Sequence, residues 1–206
     1  QAGNFGGSGV EPLERFSSVK LKTVFVILVT FLVLAVIVVS VLKRPRYLDI
    51  KQTYEISKKY PTILIIRHGE RCDRSKDQCF SEPDGITVNG TQKAIRLGKN
   101  LSDITGNYNL YSTNTTRTRQ TACFFSNGVS PTIVSLSNNG ESPVRKILDL
   151  SYQGKNAVVF THNHCLSRIA KDMRWWKLKP GYLETLVLHR EANNLILDGA
   201  LKYQQK

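Results

Sequence analysis

The sequence predicts an α/β fold: a three-layer sandwich with a mostly parallel sheet and helices on both faces, preceded by a single transmembrane helix. Three observations predict it. From residue 61 onward, short apolar runs alternate with amphipathic stretches, the pattern of repeated βα units. Two of those runs end in histidine, at the strand edge where open α/β sheets gather ligands. Upstream, Thr23 to Leu42 is a run of twenty residues without a charge, glycine or proline.

Taken in order, residues 1–20 read as a flexible tail. The chain begins at Gln1 and is glycine-rich from Gly3 to Gly9, as expected of a processed or appended end. Residues 21–43 read as the membrane anchor, since twenty helical residues span about 30 Å, the hydrocarbon thickness of a bilayer. Ser40-Val41-Leu42-Lys43 offers no small-residue cleavage pattern, so a retained signal-anchor is expected. Arg15, Lys20 and Lys22 precede the span and Lys43, Arg44 and Arg46 follow it, so flanking charge does not orient it.

Residues 44–60 read as a linker that includes a short amphipathic helix ending before Pro61. Thr62–Ile66 is the first strand, a continuous apolar run of the kind buried in parallel sheets. Thr87–Leu101 places Ala94, Ile95, Leu97 and Leu101 at helical spacing. Asn109–Ser112 is the next strand and Thr115–Phe125 the next helix. Thr132–Leu136 is a third strand, followed by a helix over Ser142–Leu150 that tolerates Pro143 in its first turn. Ala157–Thr161 is a fourth strand, Cys165–Asp172 a helix, and Thr185–His189 with Asn194–Asp198 a closing hairpin-like pair. No repeat or linker interrupts 61–206, which reads as one domain.

Lysine and arginine total 29 against 16 acidic residues, a formal charge of +13. That excess suits anionic partners. Nucleic acid is not expected, because no zinc-finger spacing, RNP-type strand or aromatic-interleaved basic helix is present. A phosphate substrate beside an anionic membrane surface fits better. Cys72 and Cys79 bracket a polar stretch that could close as a disulfide loop in an oxidising compartment, or remain two thiols elsewhere. Cys165 reads as a small buried residue.

Three strand ends carry the chemistry. Arg67-His68-Gly69-Glu70 follows the first strand and supplies a guanidinium fork and a nitrogen nucleophile. Gly69 is expected to leave room for a substrate group. The second strand runs through Ser112 into a helix start that favours an anion, with Arg117 in its first turn. The fourth ends at His162, followed by Asn163 and His164. Two arginines and two histidines converging on one crevice make a phosphate pocket with a built-in nucleophile. A metal is not expected: His162 and His164 with His68 and Glu70 could ligate one, but Arg67 and Arg117 would repel it. No cofactor is implied. His189 reads as structural, and Trp175-Trp176, among Lys171, Arg174 and Lys177, as an interface anchor, a sugar-binding face or a packed pair.

These segments resemble the histidine phosphatase (phosphoglycerate mutase-like) superfamily. The likeness rests on Arg67-His68-Gly69-Glu70, on Ser112 with Arg117-Thr118-x-Gln120-Thr121-Ala122, on His162 and, partially, on Ile86-Thr87-Val88-Asn89-Gly90. Arg71-Cys72-Asp73-Arg74-Ser75 and Phe160 to Leu166, with Ala170-Lys171-Asp172 and Lys179-Pro180-x-Tyr182-Leu183, are similar to one branch. That branch acts on a phosphorylated heptose of the lipopolysaccharide core. The resemblance implies that residues 43–206 face the periplasm from a bacterial inner membrane. It implies that His68 carries a transient phosphohistidine while Arg67, Arg117 and His162 hold the phosphoryl oxygens, with Asn163 and His164 lining the pocket.

A general acid must protonate the leaving sugar oxygen. Glu141, after the third strand, is the preferred candidate and Glu70 the alternative. A phosphatase of small periplasmic sugar phosphates, a mutase, and a non-catalytic phosphoglycolipid-binding or partner-tethering protein are the competing readings. Activity is expected to fall in acid as His68 protonates, and a flat profile through about pH 5–7 would count against the mechanism.

Overall fold

The computed structural model describes Gly3 and residues 13–136, 140–151 and 154–203. Most of the tail expected over 1–20 lies outside the described residues. The chain forms two compact units, residues 1–42 and 43–206. The first contains α1 (Leu13–Leu42), one continuous helix. Its Lys20–Leu42 portion is long and apolar enough to cross a membrane. Every side chain from Lys20 to Leu42 is exposed. A helix apolar all round needs an apolar surrounding.

The second unit holds α2 (Ile50–Ser57), β1 (Thr62–Arg67), a 3₁₀ turn (Cys72–Arg74), α3 (Val88–Asn100), α4 (Ser102–Thr105), β2 (Tyr108–Ser112), α5 (Thr116–Phe125), β3 (Thr132–Ile133), α6 (Pro143–Ser151), β4 (Asn156–Thr161), α7 (Asn163–Arg174), β5 (Thr185–Glu191) and β6 (Asn194–Leu201). The sheet order is β3-β2-β4-β1-β5-β6. The first four strands of that order run parallel, while β5 is antiparallel to β1 and β6 to β5. The mostly parallel, three-layer fold is thus as the sequence reads, with the closing hairpin as its antiparallel edge.

Strand alternation divides the core between two faces. Ile63, Ile65, Tyr111 and Val159 pack with Ile147 of α6 and Leu166 and Ile169 of α7. Leu64, Ile66, Val158 and Phe160 pack with Ala94 and Leu97 of α3, Ile104 of α4 and Phe125 of α5. Burying a side chain such as Ile65 or Phe160 contributes roughly 1.5–3 kcal/mol, and both are fully buried.

The helices that feed the site start at side-chain caps. Thr87 accepts from Gly90 N at the start of α3, and Thr115 from Thr118 N at the start of α5. The two helices cross closely at Gly98, where a Cβ would lie 2.0 Å from the Phe125 carbonyl oxygen. Only glycine permits that approach.

Two expectations change. The third strand is two residues long rather than Thr132–Leu136, because its neighbour β2 ends at Ser112 and leaves nothing further to pair. Residues 44–60, read as a linker, are integrated with the domain. Leu48 N donates to Ala200 O and Ala200 N to Arg46 O, both at 2.8 Å, and Leu48 and Thr53 are buried. Gly199 admits this segment, since a Cβ there would meet Leu48 at 2.6 Å.

Candidate active site

β2, β4 and β1 lie side by side and parallel, so their C-terminal ends share one edge. Register pairs Arg67 with Thr161 and Ser112 with Phe160. The residues after those ends therefore meet: His68 after β1, Thr113 after β2 and His162 after β4. Arg117 enters from the first turn of α5.

His68 is the most constrained of them, at 2 % exposure. Its backbone N–H donates to Thr161 O at 3.0 Å. Its Nδ1 lies 2.8 Å from Gly69 O. A carbonyl only accepts, so Nδ1 carries the hydrogen and Nε2 keeps its lone pair. Burial, with repulsion from His162, Arg67 and Arg117, pushes the ring pKa down to about 3, against the smaller opposing effect of the Gly69 bond. At neutral pH it is an uncharged imidazole with a free Nε2.

The His162 ring meets His68 edge-on, with centroids 5.4 Å apart at 67°. Its Nε2 is 3.3 Å from Thr113 Oγ1. Burial, then Arg117, His164, Arg71 and Arg67, lower its pKa to about 4. His164 stacks on His162 at 5.4 Å with ring planes 7° apart. The two share a cleft of about 210 Å³ with Thr113, Asn114 and Thr161. Asn163 begins α7 and is exposed.

Arg67 donates through one terminal nitrogen to Pro180 O at 2.7 Å and lies 4.1 Å over the Tyr182 ring. Its Nε, like the Arg117 Nε, is buried without a hydrogen-bond partner. Burial draws both guanidinia below their ordinary range, yet arginine stays charged. Unpartnered buried donors are costly, and a phosphoryl group is the ligand that would satisfy donors of this charge.

Gly69 differs from its expected role. Its amide donates to Thr121 Oγ1 at 2.9 Å, and Thr121 donates to Arg117 O at 2.6 Å. A Cβ on Gly69 would lie 3.5 Å from Gly90 O and 3.6 Å from Thr121. The side a Cβ would occupy faces α3 and α5 at ordinary contact distance rather than an open crevice, so no room for a substrate group lies there.

The two candidate acids occupy different surroundings. Glu70 Oε2 accepts from Thr87 Oγ1 at 3.0 Å, and Glu70 O accepts from Thr87 N. That ties it to the N-terminus of α3. Glu141 is exposed and lines a cleft of about 330 Å³ with residues 133–136 and the first turns of α6. This cleft and the His162 cleft share Val134, Ser135 and Leu136.

The sequence reading missed the 180–182 segment as part of the site. Pro180 O and the Tyr182 ring hold Arg67, and Tyr182 lies 5.9 Å from His68. Leu183, next in line, takes φ 60° while buried. Arg71 and Arg74 also add to the positive field at Arg67 and Arg117. Arg71 is itself paired with Asp73 through two contacts. Cys72 and Cys79, which flank this turn, are paired with Cα atoms 5.2 Å apart. Cys165 is buried and its thiol is pushed up to about 11, so it is no thiolate at neutral pH. His189 sits between Tyr60 and Asp198, in a structural setting.

No protein-family model matches the chain. It is 47 % identical over 148 residues to the lipopolysaccharide core heptose(II)-phosphate phosphatases of Salmonella arizonae and Salmonella schwarzengrund, covering 70 % of this chain and 73 % of each relative. Among solved structures, the protein histidine phosphatase SixA complexed with tungstate superposes with TM-score 0.55 at 14 % identity, covering 68 % of this chain and 96 % of that one. A phosphoserine phosphatase mutant from Entamoeba histolytica superposes with TM-score 0.53 at 14 % identity, covering 68 % and 95 %. The structural matches establish the fold.

Proposed function

The chain belongs to the lipopolysaccharide core heptose(II)-phosphate phosphatase family, with the histidine phosphatase fold, and on that premise we propose how its residues divide the work. It is a phosphatase with a histidine nucleophile. In the proposed mechanism, His68 Nε2 attacks the phosphorus of a monoester, and the bond from phosphorus to the sugar oxygen breaks. The leaving oxygen takes a proton from a carboxylic acid, Glu141 in the preferred assignment and Glu70 in the alternative. The products of this step are the sugar alcohol and a phosphohistidine. Water then attacks phosphorus, the N–P bond breaks, and the same carboxylate takes the water's proton as inorganic phosphate leaves.

Arg67, Arg117 and His162 hold the phosphoryl oxygens through both steps. Charge spreads over those oxygens in a loose transition state, which fixed guanidinia stabilise without reorganising. His164 and Asn163 line the entrance. The observation that carries this reading is the Nδ1 contact of His68 with Gly69 O, which leaves Nε2 as the nucleophile beside two half-buried arginines whose Nε atoms are buried without partners.

The proposed substrate is a phosphorylated heptose of the lipopolysaccharide core, met on the periplasmic side by a domain anchored through Thr23–Leu42. The exposed apolar α1 and the substrate named for the relatives support it. The Cys72–Cys79 pair would be a disulfide in that oxidising compartment.

Phosphate release by the detergent-solubilised full chain tests the mechanism. His68→Ala should lose roughly 10⁴-fold or more in turnover, as for removal of a covalent nucleophile. Undiminished release would sink the assignment. Transfer of labelled phosphate to the wild-type chain, absent in His68→Ala, identifies the intermediate.

A further inference from the structure

α7 begins at the phosphate edge, with His162 as its N-cap, and ends in a corner that the proposed reaction does not use. The helix terminates at Trp175 in the left-handed conformation, φ 60° and ψ 16°. Trp175 N donates to Lys171 O and Trp176 N to Ala170 O, closing the last turn. This is the position where glycine is usual, because a Cβ is disfavoured there. Instead it carries a tryptophan at 75 % exposure, while Trp176 beside it is buried. A large apolar ring held outward in a disfavoured conformation does nothing for the core. Backbone strain of that kind is retained where function needs it.

The surroundings say what the ring would meet. Trp175 lines a cleft of about 350 Å³ with Lys43, Lys171 and Lys177, and no carboxylate is among its lining residues. Arg174 is exposed next to it. The nearest acid on the helix, Asp172, is already bonded to Arg168 and Ser142. Lys177 N donates to Lys43 O at 2.8 Å. Lys43 is the residue that follows the Lys20–Leu42 apolar segment directly.

We propose that this corner is a membrane-docking surface, with Trp175 seated among the headgroups of an anionic lipid surface and the surrounding lysines on their phosphates. The inference rests on the anchored reading above. If α1 spans the bilayer, chain connectivity alone brings Lys43, and with it Trp175, to the interface, whatever angle the span takes. Tryptophan prefers that interface, and each basic residue near an anionic leaflet adds attraction. α7 then sets a reach: its twelve residues are about 18 Å long. The phosphate edge stands off the lipid surface by no more than about that distance, which suits a phosphate on a sugar set back from the lipid.

The test uses the full chain in nanodiscs of phosphatidylethanolamine and phosphatidylglycerol, with acyl chains brominated near the headgroup. Tryptophan emission should fall by up to about half, the share of one of two tryptophans. Trp175→Gly should abolish the quenching, retain turnover of a soluble aryl phosphate, and raise Tm in detergent by relieving the positive φ. Lys171→Gln with Lys177→Gln should weaken quenching, and zwitterionic nanodiscs should weaken it for the wild type.

Carbonate extraction from vesicles separates the ways of failing. A chain that resists extraction but shows no quenching overturns the docking surface and leaves the anchor standing. A chain that is extracted overturns the anchor and the docking surface together. Equal quenching in zwitterionic lipid overturns the headgroup assignment, and a lower Tm for Trp175→Gly shows that the ring is structural.

Discussion

The two walls of the site are built to different standards. The phosphate wall stands on the ends of β1, β2 and β4, with His68 buried and bonded to Gly69 and Thr161, and Arg67 bonded to Pro180. The other wall, residues 133–136 with Glu141 and the first turns of α6, rests on a two-residue edge strand, and its Glu141 is exposed. The groups that the proposed mechanism sets on phosphorus are thus held by the fold itself, where preorganisation is worth most. Glu141, the preferred proton donor of the proposed mechanism, is exposed on the wall that lines the second cleft.

The phosphate wall should be the more fragile to packing changes. Gly98→Ala places a Cβ 2.0 Å from Phe125 O at the α3–α5 crossing. The expected loss is about 3 kcal/mol of stability, since an overpacked backbone contact must open. Chemical denaturation of the detergent-solubilised chain measures it. A neutral result would mean that α3 and α5 slide freely, and the contrast between the walls would weaken. Turnover should fall with stability, because α5 carries Arg117 and, through Thr121, holds Gly69.

The same contrast explains what the sequence could reveal. β1, β2 and β4 are legible because apolar runs and their end residues are local signals, so Arg67, His68 and His162 could be placed on one edge without coordinates. The contact of Tyr182 with Arg67 joins residues far apart in the chain, and its ring reads as an ordinary loop aromatic. The integration of residues 44–60 depends on Gly199 admitting Leu48, which no local pattern encodes. β3 reads longer than it is because its length is set by its neighbour. The acid is the least legible of all: Glu70 is adjacent to the nucleophile in sequence but bonded to Thr87, while Asn138 and Asn139 before Glu141 lie outside the described residues.

Glu141→Gln against Glu70→Gln sharpens the comparison directly. If the donor belongs to the looser wall, Glu141→Gln should lower kcat on a sugar phosphate by about a hundredfold and spare an aryl phosphate, whose leaving group needs no proton. Glu70→Gln should then act through Thr87 and affect both substrates alike. The reverse pattern would move the donor to the fixed wall, beside its nucleophile.

Activity should respond least of all to acidity near neutrality. With pKa values of about 3 for His68 and about 4 for His162, both rings stay neutral from pH 7 to 5. The acid limb that the sequence predicts, on an ordinary imidazole, moves below about pH 4, so a flat profile through about pH 5–7 fits the mechanism. Histidine ring NMR is the check, because a phosphate monoester itself titrates near pH 6 and would distort a rate profile. The same depression links to stability. Below the ordinary 6.5, an unfolded histidine takes up a proton that the native one refuses. The His68 contribution is therefore complete above pH 6.5 and is lost as pH falls through about 3, on the order of 5 kcal/mol in all. His68→Gln should flatten that dependence. An unchanged slope would show that His68 is solvated like any surface imidazole, and that the phosphate wall is no better fixed than the other.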